Sequence, residues 1–203
     1  MNHSRSPRRR RLTTAVGGTL LAVTLVGAVV IISQQSSATA SVPASSLTDG
    51  ALGVDDGVVV ESDRVSVFAD IPALSKLDPA LLAAVRDAAT SAEADGVRMH
   101  VNSGWRSAAY QNALLADAVQ THGSEEEAAR WVATPENSEH VSGDAIDLGP
   151  APAQDWLSRH GSAYGLCQIY ENEPWHFELR PAAIANGCPL MYADPTADPR
   201  TQR

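Results

Sequence analysis

Residues 137–148, NSEHVSGDAIDL, set a histidine, a glycine and two aspartates within a few positions of one another. The stretch reads as a loop, a turn that Gly143 permits, and a short strand from Ala145 to Leu148. His140 and Asp147, seven residues apart, suit two ligands of one metal ion, one on the loop and one on the strand. Such a pair does not make a site alone, so the segment calls for a third ligand and a base from elsewhere.

ENEPWHFEL, residues 171–179, offers them. In an alternating strand Trp175, Phe177 and Leu179 share one face, leaving His176 and Glu178 on the other. Two histidines and a carboxylate are the protein ligands of a catalytic zinc, with water in the open position. The base is then Glu173 or Glu178. Alternation favours Glu178, which shares a face with His176. Pro174 marks the strand's beginning and places Glu173 on a bend where alternation does not apply. The pattern leaves both open.

Outward from these motifs the chain reads as α+β, a small antiparallel sheet with helices packed on it. Asp78-Pro79 gives an N-cap and a first-turn proline, followed by apolar residues at helical spacing until Gly96. Val97, Met99 and Val101 alternate as a strand. A helix follows from Ser107 to Thr121, and Ser124 with Glu127 announces another. A further helix covers 153–160, and strands are expected at 168–170 and 175–179. Trp131 and Trp156 at helical positions are expected in the core. The organisation expected is a basic and hydrophobic segment at 1–40, a flexible linker at 41–62, one catalytic domain at 63–190 and a polar tail at 191–203.

SEHVSGDAID fits the Ser-x-His-x-x-Gly-x-Ala-x-Asp motif, and EPWH the Glu-x-x-His motif, of VanY-type D-alanyl-D-alanine carboxypeptidases. SGWRSAAYQ, residues 103–111, resembles the Ser-Gly-Tyr-Arg-Ser…Gln segment upstream of them. The resemblance covers roughly residues 74–180 and extends to dipeptidases and hedgehog-like domains. It implies that His140, Asp147 and His176 hold Zn2+, that Glu173 rather than Glu178 is the catalytic base, and that Arg106 steadies the oxyanion and the substrate. Ser138 and Gln111 match positions near the substrate. Trp105 stands where Tyr is usual and Asn137 where a smaller residue is frequent; neither change removes a reacting group. The implied reaction is zinc-dependent hydrolysis of the terminal D-Ala-D-Ala bond of peptidoglycan stem peptides. The alternatives are a D,D-dipeptidase or L,D-endopeptidase of the same zinc class, or a zinc-stabilised binding module without catalysis.

Charge and compartment agree with an exported enzyme. The 203 residues carry 15 basic and 24 acidic side chains, and five of the basic ones precede an apolar run from Leu12 to Ile32. Without residues 1–40 the formal charge is −14, a surface that disfavours nucleic acid. The basic cluster and apolar run read as a membrane anchor or a cleaved export signal, with the remainder outside the cytoplasm in either case. Cys167 and Cys188 then read as a disulfide. A monomer is expected, with the stem peptide as its partner.

Overall fold

Asp78 accepts hydrogen bonds from the backbone N–H groups of Ala80 (2.9 Å) and Leu81 (3.0 Å), and with Pro79 at the first helical position this starts the longest helix of the described residues, α2 (Pro79–Ala94). The computed structural model describes residues 52–60 and 64–201. A single turn, α1 (Pro72–Ser75), precedes α2. Leu81, Val85, Ala88, Ala89 and Ala92 form the buried stripe of α2. They pack against Ile146, Leu148, Trp156, Leu157, Leu166 and Phe177 in the main core. A fully buried Leu or Phe contributes about 1.5–3 kcal/mol, so this interface anchors the sheet.

The sheet has four strands, β1 (His100–Ser103), β2 (Ala145–Gly149), β3 (Leu166–Gln168) and β4 (His176–Leu179), in the antiparallel order β1-β2-β4-β3. This is the α+β architecture expected. Every residue of the central strand β2 is buried. The register pairs Ser103 with Asp147 and Asp147 with His176. Directly opposed residues share a face, so one rung across three strands aligns these side chains.

Between β1 and β2 come α3 (Ala108–His122), α4 (Glu125–Ala128) and α5 (Glu139–Ser142). Ser107 and Ser124 cap α3 and α4 through their hydroxyls; the cap at Ser124 is the one the sequence led us to expect. A second apolar cluster joins Tyr110, Leu114 and Ala118 of α3 to Ala128 and Val132. After β2, α6 (Ala151–His160) returns the chain to β3.

The structure differs from the sequence reading in several places, and the strand expected at 168–170 is instead Leu166–Gln168. The expected strand through Val97 and Met99 begins only at His100, because Val97 N–H closes the end of α2 on Ala92 O (2.8 Å). Trp131, expected in the core, is 39% exposed and stacks on His122, with ring centroids 5.5 Å apart. The single-turn helix α4 ends too early to carry residue 131 onto its buried face. Residues 52–60, within the expected linker, lie on the domain: Leu52 and Val58 join the second cluster, and Asp56 O accepts from Ser107 N–H (2.8 Å). Residues 191–201, within the expected polar tail, fold back as well, pairing Tyr192 with Tyr170 and burying Asp198 completely. One further turn, α7 (Ala183–Asn186), lies between β4 and this segment.

Cys167 and Cys188 form the expected disulfide. The expected segment at residues 1–40 lies outside the described residues. Among those described, no helix is long and apolar enough to cross a membrane.

Candidate metal centre

His140 sits on α5, a single turn that Gly143 ends in the left-handed conformation (φ 87°). A Cβ at Gly143 would also meet Lys76 O at 2.7 Å, so glycine is required twice over. The imidazole Nδ1–H donates to Gly104 O (2.8 Å), which leaves Nε2 free to face Asp147. Gly104 itself lies against the backbone, since a Cβ there would come within 2.1 Å of Ala73 O.

Asp147 is in β2 and divides its carboxylate between two tasks. Oδ2 accepts from Arg106 Nη2 at 2.9 Å. Oδ1 lies 3.3 Å from His140 Nε2 and 3.4 Å from His176 Nδ1. At the head of β4, the His176 ring is turned by its other nitrogen, since Nε2–H donates to Glu178 Oε1 at 3.2 Å.

His140, Asp147 and His176 are all buried, and one ligand atom from each lies within 4.8 Å of the others. Among the described residues only three buried side-chain polar atoms lack a hydrogen-bond partner, and two of them are Asp147 Oδ1 and His176 Nδ1. Unpaired buried polar groups are costly, and these two point at one place. Four ligands arranged tetrahedrally at about 2.0–2.1 Å from zinc would be about 3.3–3.4 Å from each other. The 3.3 and 3.4 Å separations meet that spacing, so the donor set and its geometry fit zinc.

Glu173 enters through a turn. His176 N–H bonds back to Glu173 O (3.1 Å) across Pro174 and Trp175, which brings Glu173 Oε2 to 3.6 Å from His176 Nδ1. Burial pushes its carboxyl up to about 7, against the opposing pull of His176. Glu178 is completely buried. Although burial alone would raise it, its hydrogen bonds with His176 and Arg200 hold it down to about 2. Of the two candidate bases, only Glu173 therefore combines the bend position with a raised proton affinity.

Arg106, at the end of the loop after β1, is 8% exposed and held on three sides. Nε donates to Ser103 Oγ (2.8 Å), Nη1 to Gln111 Oε1 (3.1 Å) and Nη2 to Asp147. Gln111 is 1% exposed and donates its own Nε2–H to Ala133 O (2.8 Å). Its side chain meets the site through Arg106. Ser138, at the N-cap of α5, is buried two residues before His140, and its hydroxyl does not cap the helix. Sequence reasoning missed the role of Arg200, which binds Glu178 behind His176; no local pattern signals a contact across 22 residues.

The charge environments of the two histidines diverge. Burial, reinforced by Arg106, lowers the proton affinity of His140. At His176 burial acts in the same sense but is outweighed by the carboxylates of Asp147 and Glu178, which lift it to about 10. Burial alone would raise Asp147, yet the histidines and Arg106 hold it well below the usual carboxylate range.

Comparison with known proteins gives the chain's family. Residues 74–182 match the family model VanY, described as D-alanyl-D-alanine carboxypeptidase. A D-alanyl-D-alanine carboxypeptidase of Enterococcus faecalis (strain ATCC 700802 / V583) is 28% identical over 118 residues, covering 46% of this chain and 44% of the relative. The chain thus spans less than half the length of that curated relative. Among solved structures, a mutant of the vancomycin-resistance D,D-pentapeptidase VanY from a VanB-type cassette, in complex with Zn(II), is similar at a TM-score of 0.50 and 26% identity. That match covers 53% of this chain and 75% of the other. VanYB in complex with D-alanine-D-alanine is similar at a TM-score of 0.50 and 27% identity, covering 53% and 74%.

Proposed function

The chain belongs to the VanY family of D-alanyl-D-alanine carboxypeptidases, and from that premise we propose that it is a zinc peptidase removing the terminal D-Ala from peptidoglycan stem peptides. The observation that carries the reading is the convergence of His140 Nε2, Asp147 Oδ1 and His176 Nδ1, two of them otherwise unpartnered, beside a glutamate whose proton affinity lies near neutrality.

His140, Asp147 and His176 would hold the zinc. Zinc bound there supplies Lewis acidity and makes a coordinated water acidic near neutral pH. Glu173, whose carboxyl titrates near pH 7, takes the proton of the attacking water and returns it to the leaving amine. A base matched to the working pH is the efficient choice for that exchange. Arg106 has five N–H donors. Three are engaged by Ser103, Gln111 and Asp147, so two remain for the oxyanion and the substrate carboxylate. Ser138, buried two residues before His140, is assigned to the substrate's approach by its place in the family motif. A structural zinc site would need neither Glu173 nor Arg106 and ordinarily has four protein ligands, which favours catalysis over a binding module.

The basic cluster before the apolar run of residues 12–32 and the disulfide support action outside the cytoplasm, after export through residues 1–40. The activity is tested by incubating the full chain, loaded with zinc, with a stem pentapeptide ending in D-Ala-D-Ala and weighing the products. Loss of one alanine, abolished by a chelator, is the expected result. Release of a dipeptide, or a cut within the stem, would replace this specificity with another.

A further inference from the structure

Glu178 has no exposure to solvent, yet four hydrogen bonds converge on its carboxylate. Oε1 accepts from His176 Nε2 and from Arg200 Nη2, both at 3.2 Å. Oε2 accepts from Arg200 Nη1 at 2.7 Å and from Arg180 Nη2. Arg200 therefore grips Glu178 with two parallel bonds, the geometry in which a guanidinium fixes a carboxylate's position as well as its charge. The same guanidinium reaches Glu139 Oε1 at 3.2 Å, the residue beside His140, and binds the fully buried Asp198. Asp198 in turn accepts from Tyr170 OH (3.1 Å), whose ring packs 5.1 Å from that of His176. At the start of the segment, Asp194 pairs with Arg130 at 3.0 Å.

A buried carboxylate keeps a fixed place only while its charge is compensated. Arg180 supplies one contact from a side chain that is 31% exposed; Arg200 supplies two. The carboxylate behind a metal-bound histidine in turn sets the ring's orientation, and losing such a partner typically weakens metal binding about 10- to 100-fold. The family match stops at residue 182, so this arginine comes from a stretch beyond it.

We propose that Arg200 is a positioning residue of the metal centre. It holds Glu178, Glu178 holds the Nε2–H of His176, and Nδ1 is thereby kept aimed at the point shared with His140 and Asp147. The proposal rests on the zinc reading above and deepens it, making residues 191–201 part of the centre.

The test measures zinc affinity of the full chain by competition with a chromophoric chelator, with circular dichroism as the check on folding. Arg200→Ala should raise the zinc Kd about 10- to 100-fold while the fold is kept. In a Glu178→Gln background, where the charge that Arg200 grips is gone, the same substitution should add less than about threefold, since coupled residues are non-additive. Should Arg200→Ala fail to fold, Arg200→Met, which keeps the stem of the side chain, carries the same expectation. A folded variant with an unchanged zinc Kd overturns the proposal, even if its Tm has fallen. So does an equal loss with and without Glu178. A wild-type chain that takes up no zinc overturns the metal reading itself, and this one with it, before any variant is compared.

Discussion

His140 gives its second ring N–H to a neutral backbone carbonyl, Gly104 O, whereas His176 gives its own to an ionised carboxylate, Glu178, gripped by two arginines. The first arm depends on chain path, with glycines at 104 and 143 pressed against neighbouring backbone. The second depends on charge, and its partners come from two separate stretches of sequence, Glu178 with Arg180 and the distant Arg200. The electrostatics follow the same division: burial lowers the proton affinity of His140, while carboxylates raise that of His176. A metal ion would therefore face weaker competition from protons at His140 than at His176.

Removing either ligand tests whether the arms serve one centre. His140→Ala and His176→Ala should each reduce bound zinc, measured by atomic absorption after dialysis, from one equivalent to almost none. Full retention by either variant would falsify the shared site. Glu173→Ala separates chemistry from binding: zinc content should stay near one equivalent while kcat falls about 100- to 10,000-fold, the range for a lost general base. A variant that loses zinc as well would make Glu173 a ligand.

The arms should also fail differently under structural insult. Cys167 and Cys188 bracket the stretch bearing Glu173 and His176, with a sequence separation of 21. Reduction should remove about 3 kcal/mol by the chain-entropy argument, read as a lower midpoint in urea, and zinc affinity should fall with it. Equal affinity in the reduced, folded chain would show that the arm needs no clamp. On the other arm, Gly104→Ala places a methyl group within 2.1 Å of Ala73 O and should cost about 1–3 kcal/mol. Because Gly104 O fixes His140, zinc Kd should rise too; an unchanged Kd would leave His140 held by other means.

The smallest effect is a difference in pH response, measured as Tm in excess chelator. His176, raised to about 10 from an ordinary 6.5, contributes stability that is complete below pH 6.5 and lost as pH rises through 10. His140 is lowered, so its contribution is complete above 6.5 and is lost as pH falls. Glu173, raised to about 7, has lost its contribution by pH 7.5. Between pH 7.5 and 10 the metal-free chain should therefore lose about 3 °C or more, and His176→Gln should flatten that slope. An equal slope in the variant would assign it to another group.

Legibility in the sequence divided along the same lines. Caps and turns act over a few residues, so Asp78, Ser124 and Gly143 could be placed from spacing alone, and all three stand where expected. The candidate ligands could be singled out because each lies in a short motif with the right donor atoms. Two contacts that support them span 41 residues, from Arg106 to Asp147, and 22 residues, from Glu178 to Arg200. Such pairs leave no periodic trace, and composition misled where they occur: polar residues at 191–201 looked like a solvated tail because their partners are buried charges rather than apolar side chains. Trp131 failed for the opposite reason, since a helical pattern was extended past a helix of one turn.

The place of Arg200 in the chain also has a consequence in time. A polypeptide is made from its N-terminal end, so His140, Asp147 and His176 emerge in that order, and Arg200 emerges 22 residues after Glu178. If Arg200 sets the aim of His176, a nascent chain arrested between these points carries every ligand and the base yet holds its metal poorly.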